Sequence, residues 1–456
     1  MGTLLIQGGE CINPDGSFQA DIYVEEGRIK VIGKDLEVQA DQTIDAHGKL
    51  LIPGGIDVHV HLPWPTGDTI SLDDFDSGTR AAACGGVTTV IDFAIPLGEE
   101  TLSQALDSKL LEAQAKAWVD YSFHLNVRGS IGNKLKEIPA IIKRGFPSFK
   151  VFMAYEGFRI DHRDLIDVMQ VATSAGGMLN FHAEDGLLAD ALTRELVEKG
   201  ETALSFYPKA RPGGCESAAI NTVLAYARYL GARIHIHHVS TSAGAELIGQ
   251  SRRSGMEVTA ETCPHYLLFC DEDYRAEPKK SASLVCAPPI KSRVDQEALW
   301  KALANGTLSV LATDHCPYSQ VQKYSNLDDF TRVPGGIPGV ETRLPLGYTT
   351  GVRGGRLTLS RFVDIWSTGP ARAFGLYPRK GLIAVGSDAD LTLIDPAKTS
   401  MLRASELHMN SDCLPYEGWE VYGWPVTTIL RGQVIAMDGS LVSQKPEGML
   451  IPRYLQ

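Results

Sequence analysis

Two histidines one residue apart, in His59-Val60-His61, end a β-branched apolar run and project to the same side of a strand. Two neutral imidazoles on one face are a ready pair of ligands for a borderline metal such as zinc. A lysine interrupts a second apolar run, Phe149-Lys150-Val151-Phe152-Met153, where a charge is costly to bury. Either Lys150 lies at an edge and carries its ammonium to water, or burial lowers its pKa and leaves a nucleophilic amine. An ammonium cannot ligate a cation, so Lys150 joins a metal cluster only as a neutral or covalently modified group. Asp314 follows a third apolar run, in Ala312-Thr313-Asp314-His315-Cys316-Pro317. A buried Asp there is a cap or an arginine's partner, or else a metal ligand that takes a proton from metal-bound water. Coordination lowers that water's pKa from about 15.7 to about 7, and a second metal about 3.5–4 Å away also polarises the carbonyl under attack.

The elements that carry these residues form a pattern. From about residue 53 to 375, short β-branched runs alternate with longer helical ones, at 102–117, 164–175 and 217–230 for example. That alternation predicts a parallel sheet with helical crossovers. Eight strands are predicted, at 56–61, 88–93, 121–127, 149–155, 178–183, 233–239, 257–263 and 309–315. Eight β/α units suit a (β/α)8 TIM barrel, with a doubly wound open sheet as the alternative. Barrel strands are covered on both faces and should be nearly all apolar. Among the polar exceptions are His59 and His61 on the first strand, Lys150 in the fourth, and His182 and His238 near the ends of the fifth and sixth. Asp314 and His315 close the eighth. Barrel sites form at the C-terminal strand ends, so residues from five strands converge on one rim.

Both chain ends read as strands and tight turns. Glu25-Glu26-Gly27 separates 21–24 from 28–32, and Arg431-Gly432 separates 426–430 from 433–436. The fold class expected is therefore α/β: a barrel over 53–375 and a small β-sandwich domain assembled from 1–52 and 376–456.

Composition narrows the function classes. The 456 residues are too many for one small module and suit a large barrel plus a satellite. With 43 Lys and Arg against 55 Asp and Glu, the net charge of −12 argues against a sequence-independent grip on nucleic acid. No run reaches the roughly 18 apolar residues of a membrane span, and the first ten residues lack the features of a signal peptide. The eight scattered cysteines include no CxxC pair, which suits a reducing cytoplasm.

The chain as a whole resembles the cyclic amidohydrolases, most closely the hydantoinase/dihydropyrimidinase group. The pieces that carry the resemblance are Gly54-Gly55-Ile56-Asp57-Val58-His59-Val60-His61, Gly85-Gly86-Val87-Thr88-Thr89, the run 149–155 and His182-Ala183-Glu184-Asp185. His238-Val239-Ser240, Glu261-Thr262-Cys263-Pro264-His265-Tyr266 and Thr313-Asp314-His315-Cys316 complete them in order. The resemblance implies two divalent metals, usually zinc, bridged by a carboxylated lysine and a hydroxide. It implies that His59, His61 and Asp314 serve one metal, that His182 and His238 serve the other, and that Lys150, as its carbamate, bridges both. It makes Asp314 the general base and then the acid, and Tyr155 the donor to the substrate's developing oxyanion. It also implies a homotetramer.

The implied substrate is a small cyclic ureide of the hydantoin or dihydropyrimidine type. No Arg follows His61, as dihydroorotases usually require, and the Pro-Gly-Arg of allantoinases is absent from Leu62-Pro63-Trp64-Pro65. Ala287 stands where the group has Ser before Pro288-Pro289, and Gly335 where it has Asn, so fine specificity is open. Trp64 and Arg159 fall in loops expected over the pocket, and Arg159 is read either as favouring a polar or anionic substituent or as pointing to water. The alternatives are an allantoinase-like, dihydroorotase-like or non-standard amide hydrolase and a non-catalytic scaffold; the presence of all six ligand-type residues weighs against the last. His265 and His315 are candidates to orient ligands. One of His235 and His237 is expected in the barrel interior, and Cys263, Cys286 and Cys316 are expected to fill the core.

Overall fold

The computed structural model describes residues 2–455. Among them, two sheets dominate: one of eight strands and one of nine. The eight-stranded sheet is parallel, and each strand pairs with the next in the chain. Its strands are Gly55–Asp57, Val87–Ala94, Asp120–Asn126, Ser148–Phe152, Met178–His182, Ile234–Ile236, Val258–Thr262 and Val310–Leu311. The eighth meets the first through a parallel bridge between Val60 and His315, in which His61 N donates to His315 O at 2.9 Å. That bridge closes a (β/α)8 barrel as the sequence predicts. Seven of the eight strands are wholly buried, and Thr259 alone is half-buried, so side chains fill the interior.

Asp57 fastens the seam. Its carboxylate accepts from Thr313 Oγ1 at 2.7 Å and from Thr313 N at 3.2 Å, joining the ends of strands one and eight just below the histidine pair. Gly55 is required for packing: a Cβ there would lie 2.2 Å from the buried ring of Trp366. The outer helices are capped where their sequences suggest. Asp161 caps His162–Ser174, Asp185 caps Gly186–Glu198 and Thr241 caps Ser242–Arg253, each by accepting a backbone N–H.

The nine-stranded sheet is assembled from both ends of the chain. Leu50–Pro53 pairs antiparallel with Leu391–Ile394, so an N-terminal and a C-terminal segment meet at its centre. Its hairpins turn on Glu26-Gly27 and Arg431-Gly432, all four at positive φ, as two-residue type I′ turns demand. A buried ion network ties this sheet to the barrel: Lys380 Nζ donates to Asp120 at 2.7 Å and also contacts Asp390, while Arg431 pairs with Asp120. The tail returns along the barrel, where Ile451 N donates to Tyr121 O at 2.8 Å and the guanidinium of Arg453 is fully buried. Among the described residues no helix is long and apolar enough to cross a membrane.

Candidate active site

At the C-terminal rim, His59 and His61 follow the first strand and Asp314 follows the eighth. The Nε2 atoms of both histidines lie 3.0 Å from the same oxygen, Asp314 Oδ1. Three donor atoms thus converge on one buried point, a geometry that suits a cation. The other nitrogen of His59, Nδ1, donates to Glu261 at the floor of the site. This fixes the tautomer and leaves the Nε2 lone pair for the cluster. Burial acts against the charged form of His59, but Asp314 and Glu261 raise it to about 8. A divalent cation would take the place of the protons held between these imidazoles and Asp314.

His182 ends the fifth strand and His238 follows the sixth, with ring centroids 4.5 Å apart. His182 Nε2 lies 2.8 Å from Glu184 Oε2, so its Nδ1 is the free lone pair. His238 lies 5.4 Å from His59, centroid to centroid, so the two groups of candidate ligands adjoin. The buried Nδ1 atoms of His61 and His238 have no hydrogen-bond partner among the described residues. Burial holds His61 and His182 down to about 4, despite their hydrogen bonds to Asp314 and Glu184, and holds His238 well below the ordinary range. At neutral pH these rings are uncharged and able to ligate.

Lys150 lies between the two groups. It is 1% exposed, and among the described residues its Nζ has neither a hydrogen bond nor an ion pair. Its Nζ lies 4.8 Å from the ring centroid of Phe152 and 5.3 Å from that of Phe93. Burial lowers its pKa to about 7, against the opposing pull of Asp314 and Glu261. A buried amine with no polar partner and acidic neighbours suits carboxylation, which turns it into an anionic oxygen ligand. The donor set of four imidazoles, one carboxylate and such a carbamate fits two divalent ions.

Three rim residues, Tyr155, His238 and Asp314, have φ of +66°, +37° and +51°. Non-glycine residues there cost on the order of 1–3 kcal/mol each and persist where the surroundings hold them. The Tyr155 ring centroid lies 5.2 Å from that of His182, and burial raises the pKa of its hydroxyl, which therefore remains a proton donor. Trp64 is nearly buried, with ring centroids 4.4 Å from His61 and 6.3 Å from Phe152 and Phe158, so it is part of an aromatic wall. Ala287 and Gly335 are neighbours: a Cβ on Gly335 would lie 3.9 Å from Ala287 N. The Nη1 of Arg159 is paired with Asp190 Oδ2 at 2.8 Å.

The other candidates have structural partners. His315 bonds Asp73 Oδ2 at 3.0 Å and accepts from Gly339 N at 3.0 Å, which locks the loop after the eighth strand. His265 is buried, with Nε2 unpartnered among the described residues. Both His235 and His237 face inward and contact Glu261, at 3.0 and 2.8 Å. Cys263, Cys286 and Cys316 are buried, and burial raises all three thiols, so none is a thiolate nucleophile. Sequence reasoning passed over the roles of Glu184, Glu261 and Arg211. Glu184 stands two residues from His182, and Glu261 is a charged residue inside a predicted barrel strand, a weaker form of the signal that drew attention to Lys150.

A closed (β/α)8 barrel with histidines, a lysine and an aspartate gathered on its C-terminal rim is the architecture of a metallohydrolase. The sequence model of the amidohydrolase family matches residues 50–435. The D-hydantoinase of Geobacillus stearothermophilus is 39% identical over 455 residues, which cover 99% of this chain and 96% of that protein. Among solved structures, the dihydropyrimidinase of Brevibacillus agri is 35% identical with a TM-score of 0.96, and 99% of each chain is covered. The L-hydantoinase of Arthrobacter aurescens is 32% identical with a TM-score of 0.92, covering 99% of this chain and all of that one. This chain belongs to the amidohydrolase family, within its hydantoinase and dihydropyrimidinase group.

Proposed function

We propose that the protein is a hydrolase that opens the ring of a cyclic ureide, of the hydantoin or dihydropyrimidine type, with two divalent metal ions, zinc by preference. The observation that carries this reading is the state of Lys150: a buried amine without a polar partner, set among four histidines and Asp314. Addition of the neutral amine to carbon dioxide forms a carbamate and releases one proton, giving the missing anionic ligand. His59, His61 and Asp314 would hold one ion, His182 and His238 the other, and Lys150 both. When bound, the ions would acidify the attacking water and polarise the ring carbonyl.

The side chains supply the rest. Asp314 accepts one proton of the attacking water and delivers it to the ring nitrogen as the C–N bond breaks, leaving a terminal ureido group and a carboxylic acid that releases water's second proton to solvent as it ionises. Tyr155 donates its hydroxyl proton to the carbonyl oxygen as negative charge grows there. Trp64, Phe152 and Phe158 form an apolar wall that suits a ring and its 5-substituent, with Ala287 and Gly335 contacting the imide. The pairing of Arg159 with Asp190 leaves little weight on an anionic substituent.

The barrel, 53–375, would be the catalytic domain, with 1–52 and 376–456 as one composite domain. A homotetramer is the assembly proposed. Eight buried free cysteines among the described residues suit a reducing cytoplasm.

Ring opening by zinc-replete protein should be measured on dihydrouracil, hydantoin, 5-substituted hydantoins of both hands, allantoin and dihydroorotate. Turnover of the first three, lost on chelation and restored by zinc, supports the reading. Turnover confined to allantoin or dihydroorotate would replace the substrate class.

A further inference from the structure

Arg211 lies in the chain between the short helix Tyr207–Ala210 and the long helix Gly213–Leu230, outside the barrel strands. Its side chain is only 13% exposed. The guanidinium grips Glu184 with two nitrogens: Nε donates to Oε1 at 3.2 Å and Nη2 donates to Oε2. Glu184, itself fully buried, uses that same Oε2 to hold His182 Nε2 at 2.8 Å. The guanidinium carbon also lies 4.7 Å from the centroid of the Tyr155 ring. The backbone of Arg211 is anchored in turn, because Lys291 Nζ donates to its carbonyl at 2.6 Å.

One side chain therefore touches two different parts of the rim. Through Glu184 it sets the ring angle and tautomer of His182. Through its flat face it covers Tyr155, a residue whose φ of +66° must be held by its surroundings. A planar cation on the ring face also draws on the aromatic electrons and favours a hydroxyl polarised to donate. Only arginine joins these roles: lysine could neutralise Glu184 but offers neither the two-nitrogen fork nor a stacking plane.

We propose that Arg211 is a positioning residue that keeps the oxyanion donor Tyr155 and the metal ligand His182 in register with each other. This rests on the function proposed above. Its test has one arm that needs no turnover. Zinc affinity, measured by competition with a chromogenic chelator, should fall about tenfold to a hundredfold for one of the two ions in Arg211→Gln, as for other groups that orient a ligand. Arg211→Lys, which keeps the charge beside Glu184, should stay within about threefold of wild type, inside the tenfold floor expected for a lost orienting group. The second arm is a double-mutant cycle with Tyr155→Phe. Arg211→Lys, which keeps the zinc site, should lose about tenfold or more in kcat where Tyr155 is present, and less than about twofold in the Tyr155→Phe background.

Wild-type zinc affinity in Arg211→Gln, or equal kcat losses in the two backgrounds, would overturn the proposal. If Arg211→Gln does not fold, Arg211→Lys carries the test: near-native zinc binding with reduced kcat supports it, and loss of both or of neither sinks it. If wild-type protein with both ions bound opens no ring, the proposed function fails, and the zinc titration alone decides the role of Arg211.

Discussion

Glu261 accepts a hydrogen bond from His59 at the floor of the barrel mouth, and the same carboxylate oxygen lies 2.8 Å from Nδ1 of His237. Its other oxygen lies 3.0 Å from His235 Nε2. Burial works to protonate Glu261, but the imidazoles of His237 and His59 outweigh it and hold the carboxyl well below its usual range. An anion surrounded by three imidazoles thus serves as the fixed base of His59, a proposed ligand.

Glu261→Gln keeps the size of the side chain but offers one acceptor oxygen where there were two, and no charge. His59 should then lose its enforced tautomer. Zinc affinity should drop by about 10–100-fold, with the loss confined to the ion held by His59 and His61. Stoichiometric zinc binding of wild-type strength in this variant would show that His59 is oriented by packing alone.

Lys150→Ala should remove the group proposed to bridge both ions. The variant should retain at most one zinc per chain after dialysis, with ring-opening activity reduced to background. A short carboxylate such as acetate or propionate fits the vacated stem and should restore part of the metal content and activity in a concentration-dependent way. Two tightly bound ions in Lys150→Ala, with no added acid, would remove the lysine from the ligand set.

The contrast between these two residues shows what could be read in advance. Lys150 was legible because a lysine inside an apolar β run contradicts its surroundings, and His59-Val60-His61 because spacing two puts both rings on one side. The eight strands were legible from β-branched runs between helical ones. Four of their C-terminal ends were not: the runs continue to His61, Tyr155, Val239 and His315, but the strands stop at Asp57, Phe152, Ile236 and Leu311. In the last three the chain leaves the strand through a residue at positive φ, Tyr155, His238 or Asp314. Side-chain pattern carries no sign of that backbone choice, which the surrounding packing imposes. Glu184 and Arg211, 27 residues apart, meet only because the barrel brings their elements together. The hairpins at Glu26-Gly27 and Arg431-Gly432 were legible because their cause is local.

Asp314→Asn isolates proton transfer from metal binding. The amide can still ligate through its oxygen, but it cannot take up and return a proton. Turnover should fall by about 10²–10⁴-fold, the share that general acid–base catalysis contributes. Metal content should fall much less, and KM should shift less than kcat. Near-normal kcat with both ions bound would assign the base elsewhere.

Lys323 provides a pH test of stability at a residue outside the proposed ligand set. Its ammonium is 1% exposed and donates to two backbone carbonyls, Val285 O at 2.7 Å and Pro334 O at 2.8 Å. Burial lowers its pKa to about 8, and nearby Cys413, Cys286 and Cys316 only partly oppose the shift. The unfolded chain holds this proton up to about pH 10.4. Between about pH 8 and 10.4 the unfolded state therefore binds more protons than the folded state, and this residue makes stability rise with pH. Its penalty is greatest below pH 8 and vanishes above about 10.4, with the unfolding constant changing by up to about tenfold per pH unit between them. Other groups titrate in the same range, so the comparison must be with Lys323→Met, which keeps the stem and removes the proton. Urea midpoints measured at half-unit steps from pH 7.5 to about 10 should show the wild type gaining on the variant as pH rises. Parallel curves for the two proteins would mean that Lys323 keeps an ordinary pKa in the folded state, its two carbonyl partners compensating fully for the water it has lost.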